Sequence, residues 1–294
     1  MNAKRSDKIA TGVLYAISGI IVLILAALLL YILVRGIPHI SWSFLTEPSK
    51  AYQVGGGIGI QLFNSIYLLL ITMIISFPLS LGAGIYLSEY AGKNWLTGVI
   101  RTSIEILSSL PSVVVGLFGF LVFVIQFQYG FSIISGALAL TVFNLPLLTR
   151  TVEESLQAVH YTQREAGLAL GLSRWETVIR VVVPEATPGI LTGVILSSGR
   201  IFGEAAALIY TAGQSAPALD FSNWNPLSVS SPISIFRQAE TLAVHIWKIN
   251  TEGTMPDGVS VSAGASAVLI IAVLLFNFGA RAIGKRLYRK MTSA

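Results

Sequence analysis

Arg200 and Glu204 are ionisable residues in a stretch where charge is expensive. Both lie within the apolar run Gly189–Thr211. At about 1.5 Å per residue, Arg200 would sit about 16 Å into a span, near the middle of a hydrocarbon core about 30 Å thick. A guanidinium at that depth costs at least about 2.5–3.5 kcal/mol, so it should face the interior and find a partner. Glu204 follows four residues later, on the same face if the helix is continuous. Such a pair offers fixed donors to an anion, and an acceptor to one that carries a proton. The other reading is a structural ion pair locking two helices. Small residues surround the pair: Gly193, Ser197, Gly199, Gly203, Ala205, Ala206 and Ala207. Gly199 and Gly203 have the spacing that permits close helix approach.

Other chemistry is thinly supplied. His39, His160 and His245 show no metal-ligand spacing, and there is no cysteine for a disulfide, a thiolate site or a nucleophile. No Gly-x-x-x-x-Gly-Lys-Ser/Thr sequence is present, so P-loop binding of ATP by this chain is not expected. No carboxylate dyad or nucleophile pair points to an enzyme. Glu89 and Glu105, near the ends of spans, receive no role.

The elements that must hold Arg200 follow from hydropathy. The chain is 54% apolar and 11% charged, with a mean hydropathy of +0.75. Soluble domains carry about 25% charged residues, so lipid is the expected solvent. Six apolar runs are long enough to cross a bilayer: Ile9–Val34, a second within Ile60–Leu87, about Ile104–Phe127, Phe131–Leu148, Gly189–Thr211 and about Ala263–Ile283. The first is too long for a signal peptide and is read as a retained helix. Helices are required, since open sheets cannot live in lipid. With the N-terminus inside, 14 of the 19 Lys and Arg residues fall on inner segments. Arg35, Lys50, Arg237 and Lys248 fall outside, and Arg200 lies within a span. This bias sets both termini in the cytoplasm. It also accounts for the net charge of +5 without any nucleic acid.

Two connections are long. The inner one, residues 150–188, mixes both signs of charge and carries Leu168, Leu172, Trp175, Ile179 and Val182 at helical spacing. Gly171 should interrupt it and Ser173 should cap a second short helix. Pro184 and Pro188 should punctuate the start of the fifth span. The outer connection, residues 212–262, is expected to hold a helix from Pro232 to about Ile249, with Phe236, Ala239, Ala243 and Ile246 on one face. Trp224 and Trp247 suit the headgroup level. An outer gate with a seat for a binding protein, and a helix lying on the bilayer, are both open for it.

The inner connection resembles a known motif. Glu165-Ala166-Gly167, then Gly171, then Val181-Val182-Val183-Pro184 are similar to the EAA pattern of bacterial ABC importer permeases, with Gly167, Val181 and Val183 as mild departures. The resemblance implies an all-α integral membrane protein of the type I importer permease (MetI-like) fold. The transmembrane domain would cover residues 59–285, preceded by an N-terminal tail, helix and linker (1–58) and followed by a tail (286–294). It implies that Glu165, Ala166, Gly171 and Pro184 couple the chain to a separate ATPase, which holds ATP and Mg; no cofactor is expected on this chain.

A narrower resemblance covers nearly everything from Gly55 onward. Arg200-Ile201-Phe202-Gly203-Glu204, Leu110-Pro111-Ser112-Val113-Val114-Val115-Gly116-Leu117 and Asn144-Leu145-Pro146-Leu147-Leu148-Thr149-Arg150 look like segments of the phosphate-specific ABC permeases, closest to the A-type (PstA) subunits. This implies import of inorganic phosphate across a bacterial cell membrane, with Arg200 and Glu204 in the substrate pathway. The implied partners are a homologous PstC-like permease, two copies of a PstB-like ATP-binding subunit and an extracellular PstS-like phosphate-binding protein. A permease for molybdate or sulfate, or an ATP-independent channel, are the alternatives.

Overall fold

A computed structural model describes residues 3–292 apart from 51, 93 and 254. Lys93, counted above among the inner cations, lies outside the described residues, as do the side chains of Arg5 and Lys290.

Every regular element among the described residues is a helix. The elements are α1 (Ala3–Gly36), α2 (Trp42–Thr46), α3 (Gly59–Ile85), α4 (Trp95–Ser108), α5 (Ser112–Gly119), α6 (Ile133–Gln157), α7 (Tyr161–Ala169), α8 (Arg174–Thr177), α9 (Val183–Gly203), α10 (Ala206–Thr211), α11 (Leu242–Glu252) and α12 (Gly258–Thr292). Wide π-type turns extend α3 over Tyr86–Tyr90, extend α5 over Phe120–Gln126 and join α8 to α9 over Val178–Val182. Among the described residues five helices are long and apolar enough to cross a bilayer, and the bent pair of α4 and α5 meets the same criteria taken together.

That bent pair corrects the third expected span. The run is not one helix from Ile104 to Phe127. It turns by 101° between α4 and α5. Pro111 is the cause: it has no N–H, it disfavours helical geometry at Leu110, and its extended backbone begins α5. Pro184 behaves differently. Its missing N–H would leave the Arg180 carbonyl unserved in an α-helix. The π-type turn over Val178–Val182 sits immediately before it, and the helix runs on through Pro184 and Pro188. The two prolines therefore do not punctuate the fifth span, which is continuous with α8 from Arg174.

The fifth span also ends early. It stops at Gly203, where Glu204 is extended (φ −75°, ψ 125°), and α10 restarts at Ala206. The outer helix is shorter and later than expected: α11 covers Leu242–Glu252, and residues 232–241 are irregular.

Three apolar cores hold the bundle. The central one joins Leu68 and Leu69 of α3, Leu140 and Phe143 of α6, Ile201 and Phe202 of α9 and Leu208 of α10. A second, at the end bearing residues 150–182, joins Ile85, Val152, Leu156, Val178 and Val182. A third, at the opposite end, joins Phe44, Ile58, Leu242, Ile249 and Val261. Close contact is permitted by small residues: a Cβ on Gly193 of α9 would meet Thr151 Cγ2 at 2.7 Å, and one on Gly116 of α5 would meet Ala207 Cα at 2.8 Å. α1 stands apart, exposed along its length and packed against α12. Exposure of that kind on an apolar helix is a surface for lipid or a partner.

Candidate functional site

Between α6 and the fifth span, the loop of residues 150–188 holds one separate short helix, α7; the second expected short helix, α8, is instead the first turn of the helix that continues to Gly203. Gly171 adopts φ +83°, a left-handed conformation that costs most residues about 1–2 kcal/mol. Ser173 then caps α8: its hydroxyl accepts the Glu176 N–H at 3.2 Å, and the Glu176 carboxylate accepts the Ser173 N–H at 2.9 Å. The face buried against the bundle carries Gly167, Thr177, Val178 and Val182. Gly167 is needed there, because a Cβ would meet Thr177 Cγ2 at 2.7 Å.

The expected apolar stripe divides. Val182 is buried, whereas Leu168 is 51% exposed and Trp175 56% exposed, with Leu170 at 83% beside them. Glu165, Ala166 and Gly171 are exposed, and Pro184 is buried. The first three lie on a surface and Pro184 lies in the body, so the four are not one constellation. An open cleft of about 820 Å³ runs alongside, lined by Glu89, His160, Tyr161, Arg164, Glu165 and Arg174 among others.

Arg200 and Glu204 are separated by the end of α9, so the shared helical face does not exist. Among the described residues no ion pair joins them. The Arg200 guanidinium carbon lies 3.6 Å from the centroid of the Phe143 ring, a cation–π stack. Glu204 Oε1 accepts the Ala207 N–H at 3.1 Å and so serves a free donor at the start of α10. A Cβ at Gly199 or Gly203 would meet nothing within 4 Å. These glycines therefore do not seat a neighbouring helix of this chain, and they leave the wall beside Arg200 open.

With that geometry in view, the comparisons decide the family. Residues 80–293 match the model of the binding-protein-dependent transport system inner membrane component family. The chain belongs to that family. It is a permease component of an importer, a multi-pass membrane protein and not itself an enzyme. It is 53% identical to the probable ABC transporter permease protein YqgI of Bacillus subtilis, over 100% of both chains. It is 32% identical to the phosphate transport system permease protein PstA of Xylella fastidiosa, over 85% of this chain and 82% of that one. The fold is that of type I importer permeases. It is similar to the MetNI methionine transporter (TM-score 0.56, 19% identity, 80% of this chain and 94% of the other) and to an alginate transporter (TM-score 0.62, 12% identity, 96% of each chain).

The permease also carries a buried polar network that has no local pattern in the sequence. Residues 212–241 lie across the end of the bundle opposite the 150–188 loop and are pinned there by α3. Tyr67 donates to the Ile233 carbonyl at 2.6 Å, Asn64 to the Glu240 carbonyl at 3.0 Å, and Ser65 accepts the Leu242 N–H at 2.8 Å. The carbonyls of Ile235 and Arg237 in turn accept the Ile134 and Ile133 N–H groups, which no helical partner serves at the start of α6. Arg237 is fully buried, donates to the Pro232 and Gln238 carbonyls, and is pushed down to about 10 by burial. It remains charged at neutral pH. The signal available in sequence was only an isolated arginine between Phe236 and Gln238.

Glu240, 3% exposed, collects Gln61 Nε2 at 2.9 Å, His245 Nδ1 at 3.1 Å and Lys248 Nζ at 3.7 Å. Burial alone would raise its carboxyl pKa, but the His245 contact, the Gln61 hydrogen bond and the Lys248 charge outweigh it and hold it below the ordinary glutamate range. A carboxyl depressed in the fold contributes stability that is present above its unfolded value and is lost as pH falls through the folded one. Acidification through and below the ordinary glutamate value, about 4.3, is therefore expected to loosen residues 212–252 ahead of the membrane helices. Fluorescence of Trp224 and Trp247 should report this transition, and Glu240→Gln should abolish its pH dependence. A transition unchanged in Glu240→Gln would assign it to other groups.

Proposed function

We propose that this chain is the A-type permease of an ATP-driven importer of inorganic phosphate in a bacterial cell membrane, with both termini in the cytoplasm. It pairs with a homologous, PstC-like permease, and the pathway runs at their interface. The assembly holds two PstB-like ATP-binding subunits, one of which docks on the 150–188 loop, and a PstS-like protein delivers phosphate from outside. The EAA-like residues Glu165, Ala166 and Gly171 belong to the docking surface, and Pro184 to its root.

The observation that carries the substrate is Arg200. It is a guanidinium within a membrane helix, in no ion pair among the described residues yet within electrostatic reach of Glu204, beside an open wall at the break of the fifth span. Its stacking on Phe143 leaves the planar N–H fork to be used by an oxyanion. Monohydrogen phosphate also carries a P–OH. One oxygen of Glu204 is engaged by Ala207, and the carboxylate retains capacity to accept that proton. Sulfate has no proton to give and meets only repulsion there. The similarity to PstA proteins over 85% of the chain supports the same substrate.

The test is uptake of labelled phosphate by vesicles holding the assembled complex, with sulfate and molybdate as competitors. Phosphate uptake that needs ATP and the binding protein, and that excess sulfate leaves intact, is the expected result. Competition by sulfate or molybdate at equal concentration would reassign the cargo. A chain that purifies as a homo-oligomer without an ATPase would refute the importer reading.

A further inference from the structure

The loop of residues 150–188 is joined to the third helix by a charged clasp that the docking surface does not require. Glu89 lies in the π-type turn at the end of α3, and its side chain is 8% exposed. Arg164 of α7, 17% exposed at its side chain, meets it at 2.8 Å through Nη2 and at 3.3 Å through Nε. The same guanidinium donates from Nη1 to the Val159 carbonyl at 2.5 Å and from Nη2 to the Leu156 carbonyl at 2.7 Å. Those carbonyls lie at and just beyond the end of α6, past its regular i→i+4 bonding; that of Leu156 also accepts the Val159 N–H at 3.2 Å. One side chain thus ties three elements: the end of α3, the end of α6 and the first loop helix.

The second loop helix grips the same turn. Arg174, the first residue of α8, donates to the Glu89 carbonyl and stacks over the Tyr90 ring at 4.8 Å. Both loop helices therefore hold α3 at Glu89–Tyr90. They do so through arginines, whose planar forks keep direction as well as charge.

We infer that the Glu89–Arg164 clasp, with Arg174 on the adjacent carbonyl, passes movement of the 150–188 loop to the inner end of α3. The inference rests on the importer reading and adds the route by which the ATPase's motion reaches a membrane helix. An apolar contact alone would let the loop slide over α3. A bidentate ion pair backed by two carbonyls resists both sliding and rotation. α3 packs along α6 and against α9, so a displacement at its inner end reaches the helix that carries Arg200. Glu89 and Arg164 are positioning residues: they touch neither substrate nor nucleotide.

The experiment uses the whole complex in vesicles and measures phosphate uptake and ATP hydrolysis together. In Glu89→Gln the carboxylate charge is removed at constant shape. In Arg164→Lys the charge stays, but a single ammonium cannot serve the carboxylate and both carbonyls in the fork geometry. The expected result is that both variants still co-purify with the ATPase at wild-type stoichiometry and hydrolyse ATP, while phosphate moved per ATP falls at least tenfold. A structural role would lower the amount of complex and leave that ratio unchanged. An unchanged ratio in both variants overturns the inference, as does loss of the ATPase from both complexes. The wild-type control separates the two layers: a wild-type complex without ATPase or without phosphate uptake removes the importer reading itself, whatever the variants do.

Discussion

Phosphate uptake by a complex carrying Arg200→Gln is expected to fall by at least about tenfold, with normal expression and an intact ATPase. A hydrogen bond to a charged group contributes about 1.5–3 kcal/mol, or about 10- to 150-fold, and the neutral amide loses that term. The variant also loses the stack on Phe143, which has the guanidinium 3.6 Å from the ring centroid. Phe143→Leu separates the two effects. It removes the ring and leaves the charge, so it should reduce uptake far less than Arg200→Gln if the charge meets the anion. Equal losses in both variants would make Arg200 a structural stack. Normal uptake in Arg200→Gln would end the pathway assignment, and the substrate proposal with it.

Trp175→Ala is expected to weaken association with the ATP-binding subunit by about tenfold or more. Trp175 is 56% exposed in this chain, with Leu168 at 51% and Leu170 at 83%, so truncation costs the permease little packing of its own. Large aromatic anchors seated in a partner's groove are typical hot spots, and their loss costs about 2 kcal/mol or more. Titration of detergent-solubilised permease with the ATPase would measure it. Unchanged affinity at wild-type folding would place the docking surface elsewhere, while the fold of the loop would stand.

Both predictions depend on geometry that hydropathy expressed only in part. The apolar stripe Leu168, Leu172, Trp175, Ile179 and Val182 is visible as a period in the sequence. Period alone does not say which members face the chain's own core. Val182 lies at 0% exposure and Trp175 does not, because the bundle's second core ends near Val178. The break at Gly171 and the cap at Ser173 were legible, since each depends on a few consecutive residues; the left-handed backbone and the reciprocal bond from Glu176 came with the structure. The pairing of Arg164 with Glu89 spans 75 residues and has no local signature.

The three prolines show the same division. Pro111 ends a helix and turns the chain by 101°, whereas Pro184 and Pro188 lie inside one that continues. The residue type is identical. The outcome depends on whether the backbone can absorb the missing donor, as the π-type turn over Val178–Val182 does.

By itself the sequence determined that the chain lives in lipid, how many apolar runs it has and where its two long connections lie. Those properties are sums over contiguous residues, and transfer free energy is nearly additive along a segment. The tertiary structure alone decided that Arg200 stacks on Phe143 and that Glu204 leaves the helix to serve Ala207. It also decided that Arg237, one cation among the outer four by charge count, is fully buried. Each is a question of which groups from distant segments satisfy a buried charge or an open backbone donor, and packing answers it.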